Sequence, residues 1–360
     1  EQFAIHGDLT KAILGDIKAE AGRGFWTLGP QVQLFEEAWA EYTGAEYAVG
    51  VSSGTDALFL LLKAHGIGQG DTVATVPNTF LATVGAILQA GAEVEFVDIG
   101  DDYCIDWSKV DLNDGPNALS AVIPVHWGGR VAGYDVPEVS SEMPVIEDAA
   151  QAIGARYDGE GLSVGDTFGG SAFSLHPLKN INVWGDGGMV TTNDREIADR
   201  IRLLRNHGLE GRDVWKTPGY NMRLSTMQAI VGLHVLPLID EINDARRKLA
   251  AQYNAGLSQV EDVILPPPPE LGGHAYHLYQ VEVTERRDEL IEYLNGRGID
   301  AKVHYPIPLH RQLAVSYVHS GDSLPRATHF AVHHITLPIH QYLTEDQIDY
   351  TVEAIHEFYR

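Results

Sequence analysis

An α/β fold is expected from this sequence: a mostly parallel sheet covered by helices, followed by a small α+β C-terminal domain. Three observations predict it. Short β-rich apolar runs alternate with helix-like segments through the first two-thirds of the chain, the pattern of βαβ units and a parallel sheet buried on both faces. A Gly-rich stretch and a long helical pattern then replace the alternation. Beyond a proline tract at Pro266–Pro269, a strand-like run and two further helical patterns make up a separate, smaller set of elements.

The strand candidates, in order, are Glu46–Val51, Asp71–Val76, Glu93–Ile99, Leu119–Val125 and Met143–Asp148. Helical patterns at Thr55–Gly66 and Phe80–Gly91 lie between the first three, with Gly91 as the expected C-cap. From Gly165 the text GDTFGGSAFSL, the turn HPLKN and GDGGMVTT read as two strands joined by a Gly-rich excursion. A helical stretch from about Ser225 to Ser258 should bend at Pro237. PPPPELGG at Pro266–Gly273 fits only a linker or rim loop. After it come a strand at Ala275–Val283 and helices at Arg286–Gly298 and Thr344–Tyr359. The expected division is a large domain over 1–240, with an N-terminal helical segment, and a small domain over 241–360.

Charge narrows the function. Asp and Glu number 50 against 25 Lys and Arg, a formal charge of −25. That balance argues against a nucleic-acid or membrane-surface partner, though not against one anionic ligand in a locally built pocket. The single Cys104 excludes an internal disulfide and a multi-cysteine zinc site. No apolar run reaches the roughly 18 residues of a membrane span. EQFAIHGDLTKAIL at the start has no basic region followed by an apolar stretch, so a soluble cytoplasmic protein is expected. The 16 His residues show neither HExxH nor finger spacing, so no metal is expected.

Three segments carry chemistry. Ser52-Ser53-Gly54-Thr55-Asp56 leaves a strand and opens a helix, where free N–H groups and the helix dipole favour phosphate. It also suits a plain turn with Ser as N-cap. Asp148 ends an apolar strand, where a carboxylate faces the ligand crevice of a parallel sheet; it equally suits capping a following helix. Lys179 lies between apolar strand-like residues and Gly pairs. A lysine confined in such a place loses proton affinity and becomes a free-amine nucleophile able to form a Schiff base. In this order, a phosphate cradle, an acid and a lysine match the needs of pyridoxal phosphate.

At these residues the chain resembles the DegT-type pyridoxal-phosphate aminotransferases acting on keto sugars. SSGTDAL, VIEDAAQAIGA, FSLHPLKNINVWGDGG and GYNMRLSTMQA carry the likeness. It runs from GFWTLGPQVQLFEEAWAEYTGAEYAVGV to VHYPIPLH and LPIH, almost the whole chain. The resemblance implies the aspartate-aminotransferase-like fold, with Lys179 forming the Schiff base and shuttling a proton. It implies Asp148 on the pyridinium nitrogen, Gln151 on the ring's phenolic oxygen and Phe80 stacked on the ring. Gly54, Thr55 and Ser174 would hold the phosphate. Asn221 would reach the phosphate of a neighbouring subunit, making a homodimer with composite sites. Trp26, Tyr305 and His310 would lie near the sugar. The implied reaction moves an amino group, from glutamate, to a keto sugar linked to a nucleotide. A free or phosphorylated keto sugar, a keto-octulosonate or a keto cyclitol are the alternative acceptors. A deoxysugar dehydratase of this fold has His in place of Lys, and a non-catalytic sensor has no need of Lys179, Asp148 and Gln151 together.

Overall fold

The computed structural model describes residues 7–112, 118–133, 143–157, 163–165, 169–269, 273–315 and 324–360. Parts of three expected segments lie outside them: the start of the N-terminal helical segment (1–6), Asp166–Phe168 of the Gly-rich strand, and Glu270–Gly272 of the rim loop.

Two helices, α1 (Gly7–Arg23) and α2 (Pro30–Thr43), precede β1 (Tyr47–Val51). Pro30 opens α2 with a pre-set φ, and Gly44 closes it in the left-handed conformation. Ser53 caps α3 (Gly54–Ala64) by accepting from Asp56 N at 3.0 Å. Then come β2 (Thr72–Thr75), α4 (Leu81–Ala90) and β3 (Glu93–Phe96). The expected Gly91 cap of α4 has φ 93°. The sheet continues through β4 (Ala121–Ile123), β5 (Glu147–Asp148), β6 (Ser171–Ser174) and β7 (Gly188–Thr192).

The hydrogen-bonded orders are β3-β2-β4 and β1-β7-β6-β5. Parallel bridges Val122–Val145 and Val125–Asp148 join β4 to β5, giving the spatial order β3-β2-β4-β5-β6-β7-β1. Every pairing is parallel except the two made by β7. β1 and β6 therefore point the same way, and β7 enters at the end where both of them leave.

Side chains alternate between two cores along these strands. Val49, Ala172 and Val190 join one with Leu60, Leu61, Ile87 and Ile201 of α3, α4 and α5 (Arg195–Leu204). Ala48, Phe173 and Met189 join the other with Ile13, Phe35, Trp39 and Val231 from α1, α2 and a later helix. Trp39 packs edge-on against Phe35 and Phe173, centroids 5.7 and 5.3 Å away. Each such pair adds about 0.5–1.5 kcal/mol beyond its buried area.

After α5 a short hairpin, β8 (Leu209–Glu210) and β9 (Val214–Trp215), leads to α6 (Thr226–Val235) and α7 (Ile239–Leu257). The expected bend is a 3-10 turn, Leu236–Leu238, centred on Pro237. The remaining elements are β10 (Val263–Ile264), β11 (Tyr279–Val283), α8 (Arg287–Gly296), α9 (Pro325–His333), β12 (His334–Leu337) and α10 (Glu345–Tyr359). β10, β11 and β12 form an antiparallel sheet. With α7, α8 and α10 it encloses a third core built on Leu249, Tyr253, Tyr279, Leu290, Ile335 and Ile355. Among the described residues, no helix is long and apolar enough to cross a membrane.

Where α6 crosses α2, Gly232 lies against the Phe35 ring, and a Cβ there would come within 2.3 Å of Phe35 Cζ. Gly232→Ala is expected to lower unfolding free energy by about 1–3 kcal/mol in urea titrations, the usual cost of overpacking. A midpoint equal to that of the parent chain would show that this crossing is not close-packed.

Candidate active site

The carboxyl ends of β1, β5 and β6 converge on one cavity of about 350 Å³. Gly54, Thr55, Phe80, Asp148, Gln151, Ser174, Lys179 and Tyr305, all singled out from sequence, line it. A more open groove of about 700 Å³ lies between α2 and the start of β1, and none of these residues borders it.

Gly54 heads α3 and faces β6. A Cβ on it would lie 2.8 Å from Ser174 Cβ, so only glycine lets the helix start sit this close to the strand exit. Asp148 is buried and held on both oxygens. Thr83 Oγ1 donates to Oδ2 at 2.7 Å, and Ala150 N donates to Oδ1 at 3.2 Å. Because the single proton of Thr83 goes to the carboxylate, Thr79, 2.8 Å from it, must donate to Thr83. No helix follows Asp148: residues 149–155 are turns, so the carboxylate faces the cavity instead of capping a helix. Gln151 Oε1 accepts from Gly128 N at 2.7 Å, which leaves its amide N–H groups as the free donors.

Lys179 follows the turn after β6, its N–H donating to the His176 carbonyl at 2.9 Å. Its Nζ has no hydrogen-bond partner among the described residues. Burial lowers its pKa to about 8, and the charge of Asp148 works in the opposite direction. About a tenth of it is therefore free amine at pH 7, against well under a thousandth for an ordinary lysine. Phe80, at the start of α4, is 48% exposed and presents its ring to the cavity. Tyr305 stands 5.8 Å from that ring and 5.8 Å from the ring of Trp127.

Three expected residues lie elsewhere. Asn221 is exposed beyond the hairpin, where it bridges to Asn206. Trp26 is exposed, and its carbonyl accepts from Thr226 N at 3.5 Å. His310 packs near Phe96, centroids 6.2 Å apart, and burial lowers its pKa. No arginine borders the cavity among the described residues: Arg23 pairs with Glu20 and Arg223 donates to Asn206. Sequence reasoning did not reach Thr83, Trp127, His277 or His304. The two histidines border the cavity and burial holds both below the ordinary imidazole range. His304 precedes Tyr305 in VHYPIPLH, which was the available signal.

The pattern of the DegT/DnrJ/EryC1/StrS aminotransferase family matches residues 8–356. This chain belongs to that family. It is a pyridoxal-phosphate-dependent aminotransferase of fold type I. The aminotransferase is 38% identical to a pleiotropic regulatory protein of Geobacillus stearothermophilus, over 92% of this chain and 90% of that one. It is also 38% identical to the dTDP-3-amino-3,4,6-trideoxy-alpha-D-glucose transaminase of Streptomyces venezuelae, over 93% and 89%. The crystal structure of S. venezuelae DesV in complex with a ketimine intermediate superposes with a TM-score of 0.91 at 37% identity, covering 98% of this chain and 94% of that one.

The lowered pKa of Lys179 can be measured in the cofactor-free aminotransferase. Acylation of Lys179, followed by mass spectrometry across pH, is expected to be half-maximal near pH 8 rather than at the ordinary 10.5. Between those values the folded chain binds fewer protons here than the unfolded chain, so this group's contribution to stability rises with pH through that window. A midpoint above pH 10 would remove the free amine from the site at neutral pH.

Proposed function

We propose that this aminotransferase moves an amino group from an amino acid, with glutamate as donor, to the ketone of a nucleotide-linked keto sugar. The observation that carries the reading is one cavity bordered by the Lys179 amine, the Asp148 carboxylate and the helix start at Gly54.

The residues present fit pyridoxal phosphate. The close approach of Gly54 to Ser174 makes a cradle at a helix N-terminus, suited to a phosphate held by Gly54, Thr55 and Ser174. Phe80 offers a flat apolar surface for a ring face. Asp148, oriented by Thr83, keeps lone pairs for a cationic ring N–H, and Gln151 keeps amide donors for a phenolic oxygen. When bound, the cofactor supplies an electron sink that lets an amino acid give up its Cα proton and its amino group. Lys179 would hold the cofactor covalently and, when free, would accept and return that proton at Nζ, a task suited to a pKa near neutrality.

A homodimer with composite sites belongs to the same reading. Asn221 is exposed and outside its own chain's cavity, as a residue serving a neighbour's phosphate must be. Trp215, 68% exposed on the hairpin beside it, adds apolar surface to that face. Trp26, Tyr305 and His310 are the proposed sugar contacts, with Tyr305 alone among them on the cavity wall. The proposed domain division, 1–240 and 241–360, is supported by the third core, which begins in α7 beyond the Pro237 turn. The nucleotide handle is supported by the name of the S. venezuelae relative, which acts on a dTDP-sugar.

Lys179→Ala is expected to bind the cofactor without the visible band of a covalent adduct and to lose transamination. A mutant that transaminates at the parent rate removes Lys179 from the chemistry. Subunits carrying Lys179→Ala mixed with subunits carrying Asn221→Ala should partly regain activity, since one site of the mixed dimer inherits both lesions and the other neither. No recovery, with exchange verified by mass, would rule out sharing.

The handle is tested in the second half-reaction. Remote contacts speed chemistry when their binding energy positions the reacting groups. A nucleotide-linked keto sugar should therefore exceed the free keto sugar and a keto cyclitol in turnover as well as in affinity. Equal rates would refute the handle, and a preference for the free sugar or cyclitol would transfer the proposal to that acceptor.

A further inference from the structure

Two buried amides and an imidazole form a chain whose donors and acceptors can be assigned from one end to the other. Asn243 of α7 is fully buried and donates through Nδ2 to the Ile153 carbonyl at 2.9 Å. A carbonyl only accepts, so the amide cannot be reversed, and Asn243 Oδ1 faces Asn180. Asn180 Nδ2 donates to that oxygen at 2.8 Å and to the Ala275 carbonyl at 2.9 Å. Two acceptors on that side leave Asn180 Oδ1 facing His277 Nδ1, at 3.3 Å. Oδ1 has no proton to give, so Nδ1 must carry one.

The ring's remaining nitrogen, Nε2, is then a bare lone pair. Burial holds the His277 pKa well below its ordinary value, and the nearby cations Lys179 and Arg246 act the same way. A second proton is kept off from every side. The ring borders the same cavity as Lys179, whose Nζ has no hydrogen-bond partner among the described residues.

We propose that His277 is a positioning residue for Lys179, its Nε2 accepting a hydrogen bond from Nζ as the amine moves between its holding and proton-carrying roles. The proposal rests on the reading of Lys179 as the reacting amine. The tautomer matters because the opposite one would present an N–H to the nitrogen lone pair and occupy the electrons that must attack or take a proton. The neutral state matters too: a carboxylate in this place would stabilise the ammonium and raise the lysine pKa. A locked, neutral acceptor orients the amine and leaves it basic enough to react.

Two measurements test this on the whole protein. In cofactor-free protein labelled with 15N-histidine, the His277 signals, assigned by their loss in His277→Gln, should show a protonated Nδ1 and a bare Nε2 at pH 7. Asn180→Ala should mix the tautomers. A protonated Nε2 in the parent chain, or a doubly protonated ring, overturns the proposal without any assay of activity. Capture of pyridoxal phosphate is then followed by growth of its visible band. His277→Gln keeps an acceptor near the Nε2 position and should stay within about threefold of the parent rate. His277→Leu should slow capture at least about tenfold at unchanged melting temperature, in line with the cost of a misplaced reacting group. Parent-rate capture by His277→Leu overturns the proposal alone. A band that still forms in Lys179→Ala instead overturns the assignment of Lys179, and the proposal falls with it.

Discussion

Three backbones crowd together at one end of the main sheet, and the site depends on that approach. A Cβ on Gly188, where β7 enters, would lie 2.2 Å from the Ser53 carbonyl oxygen, and one on Gly54 would press on Ser174. These contacts are backbone or short side chain, so no rotamer change relieves them. With glycine at both places, the exit of β1, the exit of β6 and the entry of β7 share one small volume. The antiparallel β7 makes this possible, because it places the ends of β1 and β6 side by side with one strand between them. The start of α3 then meets the strand that leads to Lys179.

Behind that end lies a second constraint, a buried polar cluster on β5. Glu147 accepts from Tyr157 and Ser171, and His126 Nε2 lies 3.3 Å from it. Burial alone would raise the Glu147 pKa, but His126 and the hydrogen bonds outweigh it and hold the carboxyl below its ordinary range. Glu147 and Asp148 are neighbours on one strand and point to opposite faces. One anchors β5 inside the protein while the other is presented to the cavity. Removing a partner of Glu147 would leave a buried charge uncompensated, so this cluster fixes where Asp148 stands.

The alternation of strands and helices, the Gly91 cap and the Pro237 bend were legible because each follows from local chemistry: periodicity, a left-handed glycine, a missing N–H. So were the loop at Gly54 and Thr55, Asp148 and Lys179, since strand ends in a parallel sheet converge by topology, whereas Phe80, Gln151, Ser174 and Tyr305 were legible only through the family resemblance. Strand order was not legible, and nothing local marks β7 as antiparallel. Thr83 was invisible for a related reason. It sits on the buried face of α4 as any small core residue could, and only the tertiary approach of α4 to β5 aims its hydroxyl at Asp148. His277 is similar, because its tautomer is set by Asn180, 97 positions earlier in the chain.

A chain of charge −25 that binds an anionic cofactor needs its attraction to be local. Long-range repulsion is screened beyond about 8–10 Å at physiological salt, whereas N–H groups at a helix start act at contact. Positive side chains are poor tools for this in the cavity itself. A second fixed cation beside Lys179 would drive its pKa lower still. The described cavity wall has one lysine, and the acids Asp148 and Asp186, with His277 and His304 disposed by burial to be neutral. Backbone dipoles can hold a phosphate with little effect on the lysine, because they carry no net charge to add to the balance. Burial and Asp148 then set the amine between them, and the value of about 8 is where their opposition comes to rest.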